Sequence, residues 1–154
     1  MSQLVSLATY NEIENLPSLV DAIRSILPQS DILVVDDASP DGTGDWCREQ
    51  ESRHEWFSAI HRADKLGLGT AAWAGINHAI DRDYEWLIIL DADWSHPPGA
   101  LPSMVAAAAD ADLVIGSRYC PGGGIENWPL SRRLISRFMN FATRQVLGGK
   151  VRDT

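Results

Sequence analysis

The feature that most limits how this chain can fold is a short apolar segment that ends in two acids. Residues 86–90 (Trp-Leu-Ile-Ile-Leu) form an unbroken apolar run that is too short for a helix and rich in strand-forming residues. The run therefore predicts a strand that is buried on both faces, as strands of parallel sheets are. Asp91 and Asp93 follow at once, and Pro97 and Pro98 prevent the strand from continuing.

The acid pair allows two interpretations. Ligands of open parallel sheets bind at the carboxyl ends of the strands, and two carboxylates on one side of an extended segment suit Mg²⁺ or Mn²⁺. Alternation would bring Asp91 and Asp93 to the same side and turn Ala92 away from them. Aspartates are also common at strand ends because they stabilise turns. For the pair taken alone, the two interpretations are equally supported.

The whole chain follows an alternating pattern of strands and helices. Apolar runs predict strands at residues 4–8, 31–35, 56–61, 86–90 and 112–116, and helical spacing predicts helices at 16–27, 45–53, 71–80, 99–109 and 131–147. Such alternation predicts an α/β fold, with a mostly parallel sheet flanked by helices. Polar residues follow the first, second and fourth strands, so we expect them to meet along one edge of the sheet.

Composition narrows the class of protein. A chain of 154 residues with 45% hydrophobic residues is expected to form one domain. Its net charge of −8 argues against a general nucleic-acid binder, so a phosphorylated ligand would need a metal or a local group of arginines. The two cysteines, Cys47 and Cys120, form no disulfide framework and favour a reducing cytoplasm. No segment reaches the roughly 20 apolar residues of a membrane span, which predicts a soluble protein or a soluble catalytic part.

Three further patterns are ambiguous by themselves. Asp36 and Asp37 could accept hydrogen bonds from the N–H or hydroxyl groups of a nucleotide base or sugar, or could serve only the turn after their strand. Residues 67–69 (Gly-Leu-Gly) are more typical of a helix start than of a phosphate loop, because the full glycine fingerprint is absent. Arg132 and Ser136 lie four residues apart on one face of a basic helix and could bind a phosphate, although a solvated helix face is the simpler interpretation.

Six segments stand in the order seen in polyprenol-phosphate (dolichol-phosphate) mannosyltransferases. They are residues 8–12 (Ala-Thr-Tyr-Asn-Glu), 34–43, 66–71 (Leu-Gly-Leu-Gly-Thr-Ala), 91–98 (Asp-Ala-Asp-Trp-Ser-His-Pro-Pro), 116–119 and 127–137. The chain resembles this family, inverting glycosyltransferases of the GT-A fold, over essentially its whole length. The resemblance implies a Rossmann-like nucleotide-diphospho-sugar transferase fold and a transfer of mannose from GDP-mannose to a polyprenol or dolichol phosphate.

The resemblance also implies roles for individual residues. Asp91 and Asp93 match the metal-binding pair for Mg²⁺ or Mn²⁺, and Ser95 stands where some members use glutamine as a further metal ligand. Donor-binding positions are Ala8, Tyr10, Glu12, Val35, Asp37, Asp91, Ala92, Asp93 and Arg118, and Ala8 replaces a usual proline. Catalysis is expected from Asp91, Asp93 and Arg118. The acceptor phosphate, arriving at a membrane surface, is expected to meet Arg132, Ser136 and Arg137.

Several alternatives bear on the function. Family members continue beyond a segment like residues 152–154, so we expect a single GT-A-like catalytic domain that is truncated at its C-terminal end. A non-catalytic nucleotide-sugar-binding domain and a UDP-sugar donor remain alternatives. A receiver domain would carry its acid pair after the first strand, and a phosphatase would carry Asp-Ala-Asp near its start, so neither fits. The expected location is the cytoplasm, with a peripheral contact to a membrane as an option.

Overall fold

The computed structural model describes residues 2–117 and 129–147 of the chain. The strands are β1 (Gln3–Thr9), β2 (Asp31–Asp36), β3 (Phe57–His61) and β4 (Trp86–Asp91). The helices are α1 (Leu16–Ile26), α2 (Thr43–Arg53), α3 (Leu68–Asp81), α4 (Leu101–Ala107) and α5 (Leu130–Leu147), and 3₁₀ turns at Pro98–Ala100 and Ala108–Asp110 flank α4. Contacts divide the chain into two compact units, Met1–Ala106 and Ala107–Thr154.

The first unit contains a parallel sheet of four strands in the order β3-β2-β1-β4. The predicted α/β fold with a parallel sheet is therefore confirmed. In the register of this sheet, Ala8 of β1 lies opposite Val35 of β2 on one side and opposite Asp91 of β4 on the other. Three of the residues predicted to contact a ligand thus form one row across neighbouring strands.

Alternation along the strands produces two apolar layers, one on each face of the sheet. One layer joins Val5, Leu7, Ile32 and Val34 to the apolar side of α1, and the other joins Leu4, Leu33 and Val35 to Ala71 and Ala79 of α3. Helix α3 approaches the sheet closely because Gly75 has no side chain. A Cβ atom at Gly75 would lie 2.4 Å from the Ser6 hydroxyl oxygen, so no larger residue fits without a shift of the helix.

Two predictions about strands are wrong. β4 was expected to be buried on both faces, but Ile89 is 43% exposed, and within residues 2–117 and 129–147 β4 pairs with β1 alone. A strand was expected at 112–116, but these residues form no strand and Leu113 is largely exposed. Both errors have one cause: an apolar run shows that a segment can be extended, whereas its burial depends on neighbours that lie far away in the sequence.

Helix α5 is the amphipathic helix that the sequence predicts, but five of its apolar residues are exposed. The exposed residues are Leu130, Ile135, Phe138, Met139 and Phe141, whereas the polar Asn140 is almost fully buried. The helix carries arginines at 132, 133, 137 and 144 and no acidic residue. None of the helices in the described part of the chain is both long enough and apolar enough to cross a bilayer.

Candidate functional site

The ends of three parallel strands bring the predicted site residues to one edge of the sheet. Tyr10 follows β1, Asp37 follows β2, and Asp91 is the last residue of β4. β1 lies between the other two strands, and the Asp37 N–H donates to the Thr9 carbonyl oxygen at 3.0 Å. The expected common edge is therefore confirmed. Ligands of open parallel sheets bind at this edge, beyond the carboxyl ends of the strands.

The backbone at this edge holds three residues in the left-handed region. Asn11, Ala38 and Trp94 have φ angles of 61°, 55° and 62°, and each lies two or three residues beyond the end of a strand. Residues with side chains seldom adopt these angles, and such strain persists only where the surrounding structure imposes it. Strained residues of this kind concentrate at ligand-binding and catalytic sites, and three of the four in the described residues lie at this edge, whereas Asp83 precedes β4.

The acid pair after β4 is accessible, and the alanine between the two acids is not. Ala92 packs in the apolar layer that includes α1, so Asp91 and Asp93 are turned outward. The Ser95 N–H donates to Asp93 Oδ1 at 2.9 Å. A hydrogen bond from the Ser95 side chain is the main reason why the pKa of Asp93 lies below its usual value. The Asp93 carboxylate is therefore charged at neutral pH.

His96 folds back onto the end of β4. The Asp91 N–H donates to His96 Nδ1 at 3.3 Å, and the same nitrogen lies 3.7 Å from Asp91 Oδ2. The segment after the strand is thus fixed by contacts to both acids, one from Ser95 and one from His96. The sequence shows that His96 follows the acid pair, but this contact depends on a turn that no spacing rule predicts.

The chemistry of the acid pair fits a hard divalent cation. Two accessible carboxylates supply oxygen ligands, which Mg²⁺ and Mn²⁺ prefer. Across residues 2–117 and 129–147, no group of three or more His, Cys, Asp or Glu residues could hold a metal ion. A cation here would therefore take its remaining ligands from water and from phosphate oxygens, as Mg²⁺ usually does. Ser95 donates to Asp93, and its role as a third metal ligand stays a prediction.

Asp37 lies in a buried ion pair rather than in an open pocket. Its side chain is 7% exposed, and it pairs with Arg62, whose side chain is 9% exposed. Asp37 Oδ2 also accepts the Gly67 N–H at 2.9 Å. Arg62 donates to the Thr70 hydroxyl at 2.6 Å and to the Gly67 carbonyl at 3.3 Å, while its buried Nε has no hydrogen-bond partner within the described residues. Asp37 and Arg62 together hold the loop that precedes α3.

Lys65, in the same loop, lies on a residue of the predicted donor site. Its Nζ atom is 3.6 Å from the centroid of the Tyr10 ring, which is a cation–π contact. Lys65 therefore adds a second basic side chain to this edge, beside the buried Arg62. Sequence analysis missed both Lys65 and Arg62. The only signal available was their position next to residues 67–69, at the entry of α3.

The loops after β1 and β2 are tied together by side chains. Asp41 accepts the Ile13 N–H at 3.0 Å and the Thr43 hydroxyl at 2.7 Å, and the Asn11 N–H donates to the Ser39 hydroxyl at 2.9 Å. Desolvation would raise the pKa of Asp41, but the hydrogen bonds from Thr43 and Ile13 outweigh it and the net pKa is lowered. This carboxylate is therefore charged at neutral pH, and it links the loop after β1 to the start of α2.

Not every predicted contact residue offers a side chain to a ligand. Val35 and Ala92 are buried in the core, so only their backbone atoms could touch a ligand. Glu12 accepts the Asn15 amide at 2.8 Å, at the start of α1. Arg118 lies outside the described residues, as do the side chains of Arg132 and Arg137, and Ser136 is half-buried in α5.

The structure defines a parallel α/β sheet with an accessible acid pair at its carboxyl edge, and sequence comparison identifies the family. Residues 5–154 match the family described as "Glycosyl transferase family 2". The chain therefore belongs to glycosyl transferase family 2, and the predicted resemblance is confirmed.

Three curated relatives cover nearly the whole chain. It is 46% identical to an undecaprenyl-phosphate mannosyltransferase of Micrococcus luteus over 99% of its length, and 45% identical to a polyprenol monophosphomannose synthase of Mycolicibacterium smegmatis over 97%. It is 38% identical to a dolichol-phosphate mannosyltransferase of Pyrococcus furiosus over 99% of its length. The chain spans 63%, 57% and 43% of the lengths of these three proteins, respectively.

Solved structures support the fold. The mannosyltransferase PcManGT from Pyrobaculum calidifontis, solved with GDP-Man and Mn²⁺, matches 75% of this chain and 36% of its own with a TM-score of 0.59 and 24% identity. TarS of S. aureus (residues 1–349) matches 79% of this chain and 40% of its own with a TM-score of 0.54 and 17% identity. The predicted GT-A fold is confirmed.

Proposed function

We propose that this chain is the catalytic part of a hexosyltransferase that moves mannose from GDP-mannose to a polyprenol phosphate with inversion. The observation that carries the proposal is the accessible pair Asp91 and Asp93 at the carboxyl edge of a GT-A sheet. The names of the three relatives support a polyprenol phosphate as acceptor. The GDP-Man and Mn²⁺ bound to PcManGT support the donor and a divalent metal.

The donor would bind along the edge formed by β2, β1 and β4. We assign nucleotide contacts to Tyr10 and Glu12, to the backbone at Ala8, Val35 and Ala92, to the loop held by Asp37, and to Arg118. Asp91 and Asp93 would hold Mg²⁺ or Mn²⁺, with Ser95 beside them. When bound, the metal neutralises negative charge that develops on the departing diphosphate. Lys65 brings a further positive charge to the same edge.

The acceptor needs no general base, because a phosphate monoester is already anionic at neutral pH. We assign its phosphate to Arg132, Ser136 and Arg137, with Arg118 at the transferred sugar. An acceptor oxygen forms a bond to the anomeric carbon while the bond from that carbon to the diphosphate breaks, and GDP leaves with the electron pair. One in-line displacement inverts the anomeric centre, and the task of the protein is to align the two reactants.

Helix α5 supports a location at a membrane surface. Its exposed apolar side chains, its four arginines and its lack of acids are the features of a helix that lies on an anionic bilayer. A polyprenol phosphate is itself held in a membrane. We therefore propose that the protein is cytoplasmic and works as a peripheral protein on the membrane that carries its acceptor.

The proposed reaction predicts donor binding that depends on a divalent metal. We expect GDP-mannose with Mn²⁺ to raise the free energy of unfolding by about 2.7 kcal/mol at 100 times its dissociation constant, because it binds only the folded chain. Thermal denaturation with GDP-mannose or UDP-glucose, each with and without Mn²⁺, measures this effect. Transfer of labelled mannose to polyprenyl phosphate then tests the reaction. Binding without transfer would indicate a non-catalytic domain, and stabilisation by UDP-glucose alone would contradict the assigned donor.

The acceptor assignment predicts that two variants of α5 behave differently. We expect Arg132→Ala to weaken binding to vesicles containing polyprenyl phosphate at least about tenfold, since one charge-assisted bond contributes about 1.5–3 kcal/mol. Binding of GDP should not change. Phe138→Ser should weaken binding to all anionic vesicles, because it removes an exposed apolar anchor. Vesicle flotation measures both effects.

The control for this prediction is Arg133→Ala, because successive helical residues point about 100° apart. Equal losses from Arg132→Ala and Arg133→Ala would show that α5 offers only a general basic surface. Loss of GDP binding in Arg132→Ala would assign the arginine a structural role instead.

A further inference from the structure

We propose that Trp94 forms the wall of the donor site against which the hexose of the bound nucleotide sugar stacks. This inference rests on the proposed function, because it concerns the sugar of the same donor. It adds a residue that determines affinity for the sugar and leaves the contacts with the nucleotide unchanged. Trp94 therefore acts in binding and orientation and takes no part in bond breaking.

The position of Trp94 follows from the acid pair. It is the residue after Asp93, and the contacts of Ser95 with Asp93 and of His96 with Asp91 close the segment around it. Ala92, on the other side, is anchored in the core. Trp94 thus stands at the tip of a short turn whose two ends are fixed, directly beside the two carboxylates.

Trp94 is exposed although the turn that carries it is fixed at both ends. Trp94 is 41% exposed, whereas Trp46 and Trp56 pack against the core cluster. Its φ angle of 62° is one that a bulky residue rarely adopts and that glycine would adopt freely. The turn therefore presents a large aromatic surface to solvent at a position where local conformation alone favours a small residue.

The chemistry of the donor explains what such a surface would contact. In a nucleotide sugar the hexose is attached to the distal phosphate of the diphosphate, so a diphosphate at Asp91 and Asp93 brings the sugar to the same turn. A pyranose ring carries C–H groups on its face, and an indole ring offers a flat apolar surface that excludes water from them. Sites of this kind combine aromatic walls with a few polar groups that fix orientation.

The experiment compares affinities for GDP and GDP-mannose, because only the second ligand carries the sugar. Calorimetric titrations in Mn²⁺ are made with wild type, Trp94→Ala and Trp94→Phe. Trp73→Ala is the matched control, since Trp73 is 63% exposed on α3 and has no part in the proposed site. Binding to polyprenyl phosphate vesicles is measured for the same four proteins.

We expect Trp94→Ala to weaken GDP-mannose binding roughly tenfold and to leave GDP binding unchanged. Trp94→Phe should retain most of the affinity, and Trp73→Ala should match wild type. Equal losses for GDP and GDP-mannose, no loss for either, or a loss confined to polyprenyl phosphate would each overturn the inference. Failure of wild type to bind GDP and GDP-mannose would overturn the proposed function and this inference with it, and that result is read before any variant is compared.

Discussion

Asp93→Asn is expected to abolish the metal dependence of GDP binding and to leave the protein folded. The Asp93 carboxylate is accessible and charged, and the proposed cation site has only two carboxylates among the described residues. Loss of one carboxylate should weaken the metal-dependent binding of GDP by about 100-fold or more. Even a group that only hydrogen-bonds to a metal ligand changes metal affinity by about 10- to 100-fold. Calorimetric titration of GDP with Mn²⁺, with Mg²⁺ and with a chelator measures the effect.

The control is Asp45→Asn, which neutralises an exposed acid on α2 and should leave GDP binding unchanged. Thermal denaturation of Asp93→Asn without ligand should match wild type, because its side chain lies at the surface. If wild type binds GDP equally well in Mn²⁺ and in chelator, the acid pair serves the turn after β4 and holds no metal.

Local sequence patterns were sufficient to predict four parallel strands and the edge at which β1, β2 and β4 end. Apolar runs of five or six residues predict strands because a strand in a parallel sheet is covered on both faces. The polar residues that end these runs then meet because the strands are parallel and adjacent, as Ala8, Val35 and Asp91 show by their register. These features depend on short segments and on one general rule of topology.

The contacts that shape the site could not be predicted in the same way. Asp37 was expected to face a nucleotide, yet its carboxylate pairs with Arg62 and Gly67, which lie on a later loop. No periodicity relates these positions, because the turn after β3 brings them together. Whether the apolar side of α5 covers the core or faces outward stayed open for a similar reason: periodicity shows that a helix has two sides but not which of them is covered.

The largest expected effect on stability comes from Arg62→Met. Asp37 and Arg62 are both more than nine-tenths buried, so removal of the guanidinium leaves a carboxylate without its partner in a place that water scarcely reaches. We expect the free energy of unfolding to fall by about 3–5 kcal/mol, as for other buried ion pairs that lose one partner. Urea denaturation at neutral pH measures the loss.

The matched control is Arg48→Met, because Arg48 pairs with Asp45 at the surface, where the two side chains are 59% and 83% exposed. An exposed pair of this kind contributes at most about 1 kcal/mol, since water screens both charges and solvates whichever remains. The double variant Arg62→Met with Asp37→Leu removes the orphaned charge and should recover much of the stability that Arg62→Met loses, because an apolar pair can replace a buried ion pair. If Arg62→Met and Arg48→Met destabilise the protein equally, water reaches the Asp37 carboxylate. Asp37 would then be open to a nucleotide.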